Sequence, residues 1–533
     1  MTKACPPTSD PTPSDPVVDA QPVTPTTYPD RVDARLLRIS GVCLLATIMA
    51  ILDLTVVNVA QRTFIAEFDT IQSVAGWTMT GYTLALATVI PVAGWAADRF
   101  GTKRIFIGTV VAFILGSVLC ALATTITQLI VFRMVQGAGG GMLMPVGMMV
   151  MTRESGPLRL GRLMAILSIP MQLAPILGPI LGGWLIDVSS WRWIFLINIP
   201  IGLVTIAFAV AILPSDRPAR SERFDFVGVL LLSPGLASFL FAMSSIPHYG
   251  TVLDRHIVIP ALTGVGLVAG FVWHALRGTD HPLIDLRLFT NPVIARANMT
   301  MVVFAGAFFG AGLLVPSYLQ QTLHLRPMEA GAHMIPQGIA AMLTMRLAGP
   351  IVDRRGPGKI VFLGITLITL GLAIFTYGVS RQAPYQPTLL IALITSGLGL
   401  GCTFMPLSVA SMQALAPQQI ARGTTLMSVS QQMGGSVGTA MMSMMLTNRF
   451  NRSENIVAAN KLTVLKQQAA EHNTTINPAA VPPRTLDPGF GTQVLHDLCQ
   501  AYTVVFAVAV GAMALTLIPA AFLPRQPAQL ILD

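Results

Sequence analysis

This chain carries little charge. Asp, Glu, Lys and Arg make up 11% of its 533 residues, 53% are hydrophobic, and the mean hydropathy is +0.67. Ordinary soluble domains carry about a quarter charged residues, so this composition excludes that class and implies a bilayer. The net charge of +9 is spread singly between apolar runs instead of being gathered on one polar face, which argues against a nucleic-acid surface. Cysteine is also sparse: Cys5, Cys43, Cys120, Cys402 and Cys499 lie far apart and three sit within apolar runs. Neither a disulfide framework nor a zinc site is indicated. Gly358-Lys359 is followed by Ile360 and lacks the upstream glycine of a phosphate-binding loop, so ATP-driven work by this chain alone is disfavoured. A nucleophile elbow, a zinc-binding His pair and paired soluble carboxylates are missing too. The sequence therefore points away from an enzyme, and no metal or cofactor is expected.

What is present is a succession of apolar runs. Residues 1–35, rich in Pro, Thr, Ser and Asp, are expected to form a disordered tail. The first run, from about residue 36 to 60, is too long for a secretory signal and lacks its cleavage pattern. About 20 apolar residues cross about 30 Å of hydrocarbon, and on that measure about fourteen runs can cross. They begin at 38–60 and end at 501–523. Short loops holding Arg31, Arg35, Arg38, then Arg99, Lys103, Arg104, then Arg153, Arg159, Arg162, then Arg217, Arg220, Arg223, and later Arg354, Arg355, Lys359 alternate with loops poor in basic residues. The basic loops are expected to be cytoplasmic, which puts both termini inside and the long 447–500 connection outside, with residues 524–533 as a cytoplasmic tail.

The chain also repeats itself. The stretch Gly94-Trp95-Ala96-Ala97-Asp98-Arg99-Phe100-Gly101-Thr102-Lys103-Arg104 forms a tight charged connection between two apolar runs, in which Gly94 allows close helix approach, Gly101 turns the chain, and Lys103 and Arg104 are expected to anchor the next helix at anionic lipid headgroups. Gly, Asp, Arg and Gly recur at the same spacing 255 positions later as Gly349, Asp353, Arg354 and Gly356. Further on, Gly137, Gly139 and Gly141 recur 260 positions later as Gly397, Gly399 and Gly401, and Gln172 and Gly178 recur as Gln432 and Gly438. An internal repeat is implied: a six-helix half at 36–215, a second at 291–523, and an inserted two-helix linker at 216–290.

Gly94, Asp98, Arg99, Gly101 and Lys103 match the signature between helices two and three of the major facilitator superfamily, and with the motifs below the resemblance covers most of residues 50–440. The run around Asp53, Leu52-Asp53-Leu54-Thr55-Val56-Val57-Asn58, resembles the first-helix signature of the superfamily's fourteen-helix drug:proton antiporters. The run from Leu129 to Gly141 around Arg133 looks like their fourth-helix signature. Pro170, Ala174, Gly178, Pro179, Gly182 and Gly183 match the fifth-helix motif associated with exporters, in which proline removes helix hydrogen bonds and glycine removes bulk. The resemblance implies an all-α membrane protein of the major facilitator fold. It also implies a conformational latch built on Gly94, Asp98, Arg99, Gly101, Lys103, Asp353 and Arg354.

Residue by residue, an intramembrane carboxylate such as Asp53 costs about 3 kcal/mol and is retained for a role or a partner. Arg133 lies at similar depth and is placed to pair with it, while its repeat equivalent is Leu393. On this reading Asp53 carries a proton and Arg133 modulates it; the plainer reading is a structural helix–helix contact. Asn58, Gln136, Gln172, His333, Gln431 and Gln432 are polar candidates for lining a substrate cavity, although each alone also suits an ordinary helix contact. The expected activity is export of hydrophobic or amphiphilic drugs in exchange for protons by a lipid-embedded monomer of the cytoplasmic membrane. The same machinery would serve export of an endogenous lipid or metabolite, and a non-transporting scaffold or receptor fits the repeat poorly.

Overall fold

The computed structural model describes residues 33–70, 72–155, 159, 163, 166–167, 177–178, 180–215, 224–249, 253–277, 282–413, 415, 419–471 and 481–524. Among them there is no strand. Asp33 to Arg35, expected in the first tail, form the cap and start of the first helix; the rest of that tail, the second tail beyond Pro524, and Pro170, Gln172, Ala174 and Pro179 lie outside the described residues.

The first group of helices comprises α1 (Ala34–Glu67), α2 (Trp77–Val89), α3 (Val92–Phe100), α4 (Thr102–Ala121), α5 (Ile126–Gly140), α6 (Leu143–Ser155) and α7 (Asn198–Ile212). An inserted pair follows, α8 (Phe226–Tyr249) and α9 (Arg255–Arg277). The second group comprises α10 (Pro292–Gln321), α11 (Pro327–Arg355), α12 (Gly358–Ser380), α13 (Leu390–Gly401), α14 (Phe404–Gln413), α15 (Ile420–Arg452), α16 (Glu454–Glu471), α17 (Phe490–Leu515) and α18 (Leu517–Ala521). Eleven helical stretches among the described residues are long and apolar enough to cross a membrane, and α2 with α3 forms a further, bent one. The bend of 53° falls at Ile90-Pro91, where proline cannot donate its backbone hydrogen bond. With 33 residues α15 is long enough to cross, but Thr424, Thr425, Ser428, Ser430, Gln431 and Gln432 keep it below the same apolar threshold. It lies against α10, α3, α6 and α8.

Helix starts follow local chemistry. Asp33 Oδ1 accepts the Leu36 N–H at 3.0 Å to cap α1, Thr125 Oγ1 accepts from Gln128 at 3.2 Å to cap α5, and Asn291 Oδ1 accepts from Val293 at 2.9 Å ahead of Pro292. The repeat is written into the packing. Gly101 and Gly356 both cap a helix end at positive φ, 90° and 77°, a conformation that disfavours any side chain. Gly137 and Gly141 lie on the α2 backbone while Gly139 lies on α4; Gly397 and Gly401 lie against α11 while Gly399 lies on α12. A Cβ at any of these six positions would overlap its neighbour, so each half is held by the same three glycine approaches.

The connection expected at 447–500, whose Asn, Gln and Pro content suits a solvated loop with room for a short helix, has different bounds in the structure. α15 runs on to Arg452, α17 begins at Phe490, and between them α16 is an 18-residue helix. Its polar residues can make a helix because Asp497 ties its start, accepting from Ser453 Oγ at 2.6 Å and Asn455 Nδ2 at 3.1 Å.

Candidate functional site

Five helices converge on Asp53. Its side chain is 1% exposed and Arg133 is fully buried, both inside an otherwise apolar bundle. Arg133 Nη1 donates to Asp53 Oδ2 at 2.6 Å and to Gln136 Oε1 at 2.7 Å. Arg133 Nε donates to the carbonyl of Thr78 on α2 at 3.2 Å. The other carboxylate oxygen, Asp53 Oδ1, accepts from Gln136 Nε2 at 2.8 Å and from Asn198 Nδ2 at 3.1 Å, and both amides also reach Ser117 Oγ, at 2.7 and 3.2 Å. α1, α2, α4, α5 and α7 thus share one polar cluster. A buried ion pair persists in low dielectric when its remaining hydrogen-bonding positions are filled, as they are around Asp53. The guanidinium carbon stands 4.1 Å from the centroid of the Tyr82 ring and 5.7 Å from that of Phe195, while Arg133 Nη2 and Tyr82 Oη have no hydrogen-bond partner among the described residues. The aromatic faces offer this cation partial compensation.

Gln136, expected among cavity-lining residues, is instead fully buried and belongs to this cluster, because it stands one turn from Arg133 on α5. Ser117, Asn198, Thr78 and Tyr82 were not anticipated. Asn198 could have been found, since it interrupts the apolar run Ile194 to Ile212 as Asp53 interrupts its own.

The helix packed beside this cluster, 180–188, meets α1 through the expected motif. A Cβ at Gly178 would overlap Thr55 and one at Gly182 would come within 2.9 Å of Val56, so contact with α1 falls next to Asp53. Gly183 differs from expectation: nothing lies within 4 Å of its Cβ position, because it faces away from α1.

At the end of the bundle that carries Arg99 and Arg104, the two groups of helices touch. A Cβ at Gly94 would stand 2.8 Å from Thr425 Oγ1 and 3.0 Å from the Ala421 carbonyl, both in the first turns of α15. One turn further along α3, Asp98 Oδ1 accepts from Arg153 Nη2 at 2.7 Å. Lys103 is not directed at lipid headgroups; its Nζ donates to the carbonyls of Val210 at 2.7 Å and Leu213 at 2.8 Å, which lack helical partners at the end of α7. Arg99 is half-buried at the same end. The side chains of Asp353 and Arg354 lie outside the described residues.

Toward the other end the groups diverge around two cavities. One, of about 540 Å³, is lined by Ile180 and by α10 to α13, including Phe308, Gln337, Leu393 and Ser396. The other, of about 480 Å³, lies between α2, α8, α10 and α15 and takes in Gln431 and Gln432. Two further candidates line neither cavity. Asn58 is exposed on α1, and His333 is turned onto Tyr385, with Nδ1 2.8 Å from the Glu329 carbonyl and the two rings edge to face at 4.4 Å.

Comparison with known proteins finds related chains and a shared fold. The chain is 58% identical over 501 residues, 94% of its length and 92% of the other's, to the "Multidrug resistance protein B homolog" of Mycobacterium tuberculosis (strain ATCC 25618 / H37Rv). It is 31% identical to the "Multidrug export protein EmrB" of Haemophilus influenzae (strain ATCC 51907 / DSM 11121 / KW20 / Rd), covering 76% of this chain and 79% of that one. Its fold is similar to that of the human organic anion transporter MFSD10, with a TM-score of 0.56 over 90% of this chain and 99% of that one at 13% identity. The proton:xylose symporter XylE gives 0.55 over 93% and 99% at 14% identity. Two groups of helices with matching glycine contacts, paired positive-φ turns and a profile match across residues 43–439 place the chain in a transporter family: it belongs to the Major Facilitator Superfamily.

Proposed function

We propose that the chain is a proton-coupled antiporter that exports hydrophobic or amphiphilic drugs across the cytoplasmic membrane. The observation that carries the coupling is the Asp53–Arg133 pair: a carboxylate of α1 sealed in an apolar bundle, bonded to side chains of α5 and α7, within a cluster that also takes in α2 and α4. Adding a proton to Asp53 removes the charge that holds Arg133 Nη1, and Arg133 also holds the Thr78 carbonyl of α2. Protonation therefore loosens α2 from the rest of its half. Relatives named for multidrug resistance and multidrug export support drugs as the cargo.

In this reading the basic end faces the cytoplasm, both termini lie inside, and the Gly94–α15 contact with Asp98 is the cytoplasmic latch, closed in this structure while the cavities lie toward the outer side. The chain works as a monomer and needs no cofactor. Alternation between this arrangement and one opened at the basic end moves substrate out and protons in. The experiment is substrate-dependent proton flux in proteoliposomes with an imposed pH gradient. Coupled movement is expected in both directions of the gradient; substrate flux indifferent to the gradient would reject antiport.

A further inference from the structure

The chamber between α2, α8, α10 and α15 combines polar and apolar walls. α15 and α2 contribute the amides of Gln431 and Gln432 and the hydroxyls of Thr80, Thr439 and Ser443, all half-buried and none making a side-chain hydrogen bond among the described residues. Half-buried polar side chains left without partners in a membrane protein are groups awaiting a ligand or water. α8 and α10 contribute Leu240, Met243, Phe309 and Leu313 as an apolar wall. Among the described lining residues there is no Asp, Glu, Lys, Arg or His. A cation brought here would lose its hydration with no carboxylate to replace it, so the chamber disfavours charge of either sign.

Part of that wall comes from the inserted pair. α8 is fixed to the first group by the Trp77–Phe241 ring stack, at 5.7 Å and 26°, and by Ser233 Oγ donating to the Thr88 carbonyl at 2.6 Å. It is fixed to the second group by Ala242 and Ile246, which pack with Ala440 of α15. It therefore closes the side of the seam where α2 and α15 diverge, and it presents Met243 and Ser244 to the interior.

The geometry points to this chamber as a binding site for uncharged amphiphiles that have a hydrogen-bonding edge and an apolar body, with α8 supplying its selectivity through Met243 and Ser244. As a step in export it rests on the function proposed above; as a binding site it does not. Binding of Nile red, a neutral amphiphile, and of tetraphenylphosphonium, a cation, is measured on the full chain in lipid nanodiscs without a pH gradient. Met243→Trp, which fills the chamber, and the double variant Gln431→Leu/Gln432→Leu, which removes both amides, are each expected to weaken Nile red by about tenfold or more and to leave tetraphenylphosphonium unchanged. Because these substitutions can disturb folding, a second measurement uses Ser244→Cys: Nile red is expected to slow its alkylation by N-ethylmaleimide severalfold. Unchanged Nile red affinity in both variants, equal losses for the two probes, or no protection of the cysteine overturns the assignment. A chain that binds Nile red here yet moves no substrate refutes the export reading and leaves the site; a chain that exports but does not bind here does the reverse.

Discussion

Replacing Asp53 by Asn looks conservative in volume but is severe in this structure. Among the described residues Asp53 is the one carboxylate within ion-pair distance of Arg133, and the arginine is wholly buried. Removing one partner of a buried pair leaves an uncompensated charge and costs about 3–5 kcal/mol. Hydrogen bonding makes it worse. Both oxygens of Asp53 accept: Oδ2 from Arg133, Oδ1 from Gln136 and Asn198. An amide at position 53 must point its NH2 group at one of those donors, and Gln136 cannot turn over to accommodate it without losing its own bond from Arg133. Loss of transport in Asp53→Asn alone would therefore not separate a proton carrier from a structural pair. The double variant Asp53→Asn/Arg133→Leu does, since it removes both charges and gives position 133 the residue found at its repeat equivalent, Leu393. Unfolding of the single variant in lipid should show the loss of about 3–5 kcal/mol, and the double variant should recover most of it. Drug-induced proton release in reconstituted vesicles should be abolished in both. Full proton-coupled flux in either variant refutes Asp53 as the carrier. A single variant no less stable than the wild type refutes the magnitude argued from burial.

Three other outcomes follow from the basic end and the topology. Gly94→Val should place methyl groups where Thr425 Oγ1 and the Ala421 carbonyl now stand, so the latch cannot close; a cysteine at the buried Ala97 should then react severalfold faster with a permeant maleimide, and unchanged reactivity would contradict the closed contact. Asp98→Asn removes a partly exposed ion pair to Arg153, for which about 1 kcal/mol or less is available; stability should hardly change while turnover slows, and wild-type rates at equal expression would count against the latch. A cysteine at the exposed Thr463 of α16 should react with an impermeant reagent in intact cells, and labelling seen only after permeabilisation would reverse the orientation.

The features legible in the sequence were those carried by residue types that are rare in hydrocarbon. Asp53 and Arg133 stood out because charge in an apolar run is costly, and equal depth along antiparallel helices was enough to place them together. Glycine spacing showed the repeat because a missing side chain marks a close backbone approach, as Gly137 and Gly397 both make. Polar neutral residues were harder to read. Gln136 and Gln431 look alike in sequence, yet one is sealed beside Arg133 and the other lines a chamber, because helix rotation decides which way an amide points. Lys103 was misplaced for a related reason. Its position near the bilayer surface suits lipid headgroups, but the carbonyl end of α7, more than a hundred residues away in sequence, lies within its reach. The extent of α16 was not legible, because polar composition says little about a helix whose start is tied by a distant Asp497.

The separation of the charge cluster from the cavities bears on how a proton and a drug would be exchanged. Asp53 and Arg133 line neither cavity, so on the proposed reading substrate and proton do not compete for one carboxylate, and the coupling free energy must pass through the protein. α2 is the element that touches both. Its Thr78 carbonyl accepts from Arg133, while the next two residues, Met79 and Thr80, line the chamber that also holds Gln431 and Gln432. The same helix continues past the 53° bend at Pro91 into α3, whose Gly94 meets α15 at the opposite end. A bent helix of two rigid pieces can transmit a change at Thr78 to Gly94 because its hydrogen-bonded turns do not stretch and its close glycine contact permits few intermediate positions. Protonation at Asp53, occupancy beside Thr80 and closure at Gly94 are then three biases on one element. By linkage each must alter the others: substrate seated in the chamber changes the affinity of Asp53 for its proton as strongly as that proton changes the affinity for substrate.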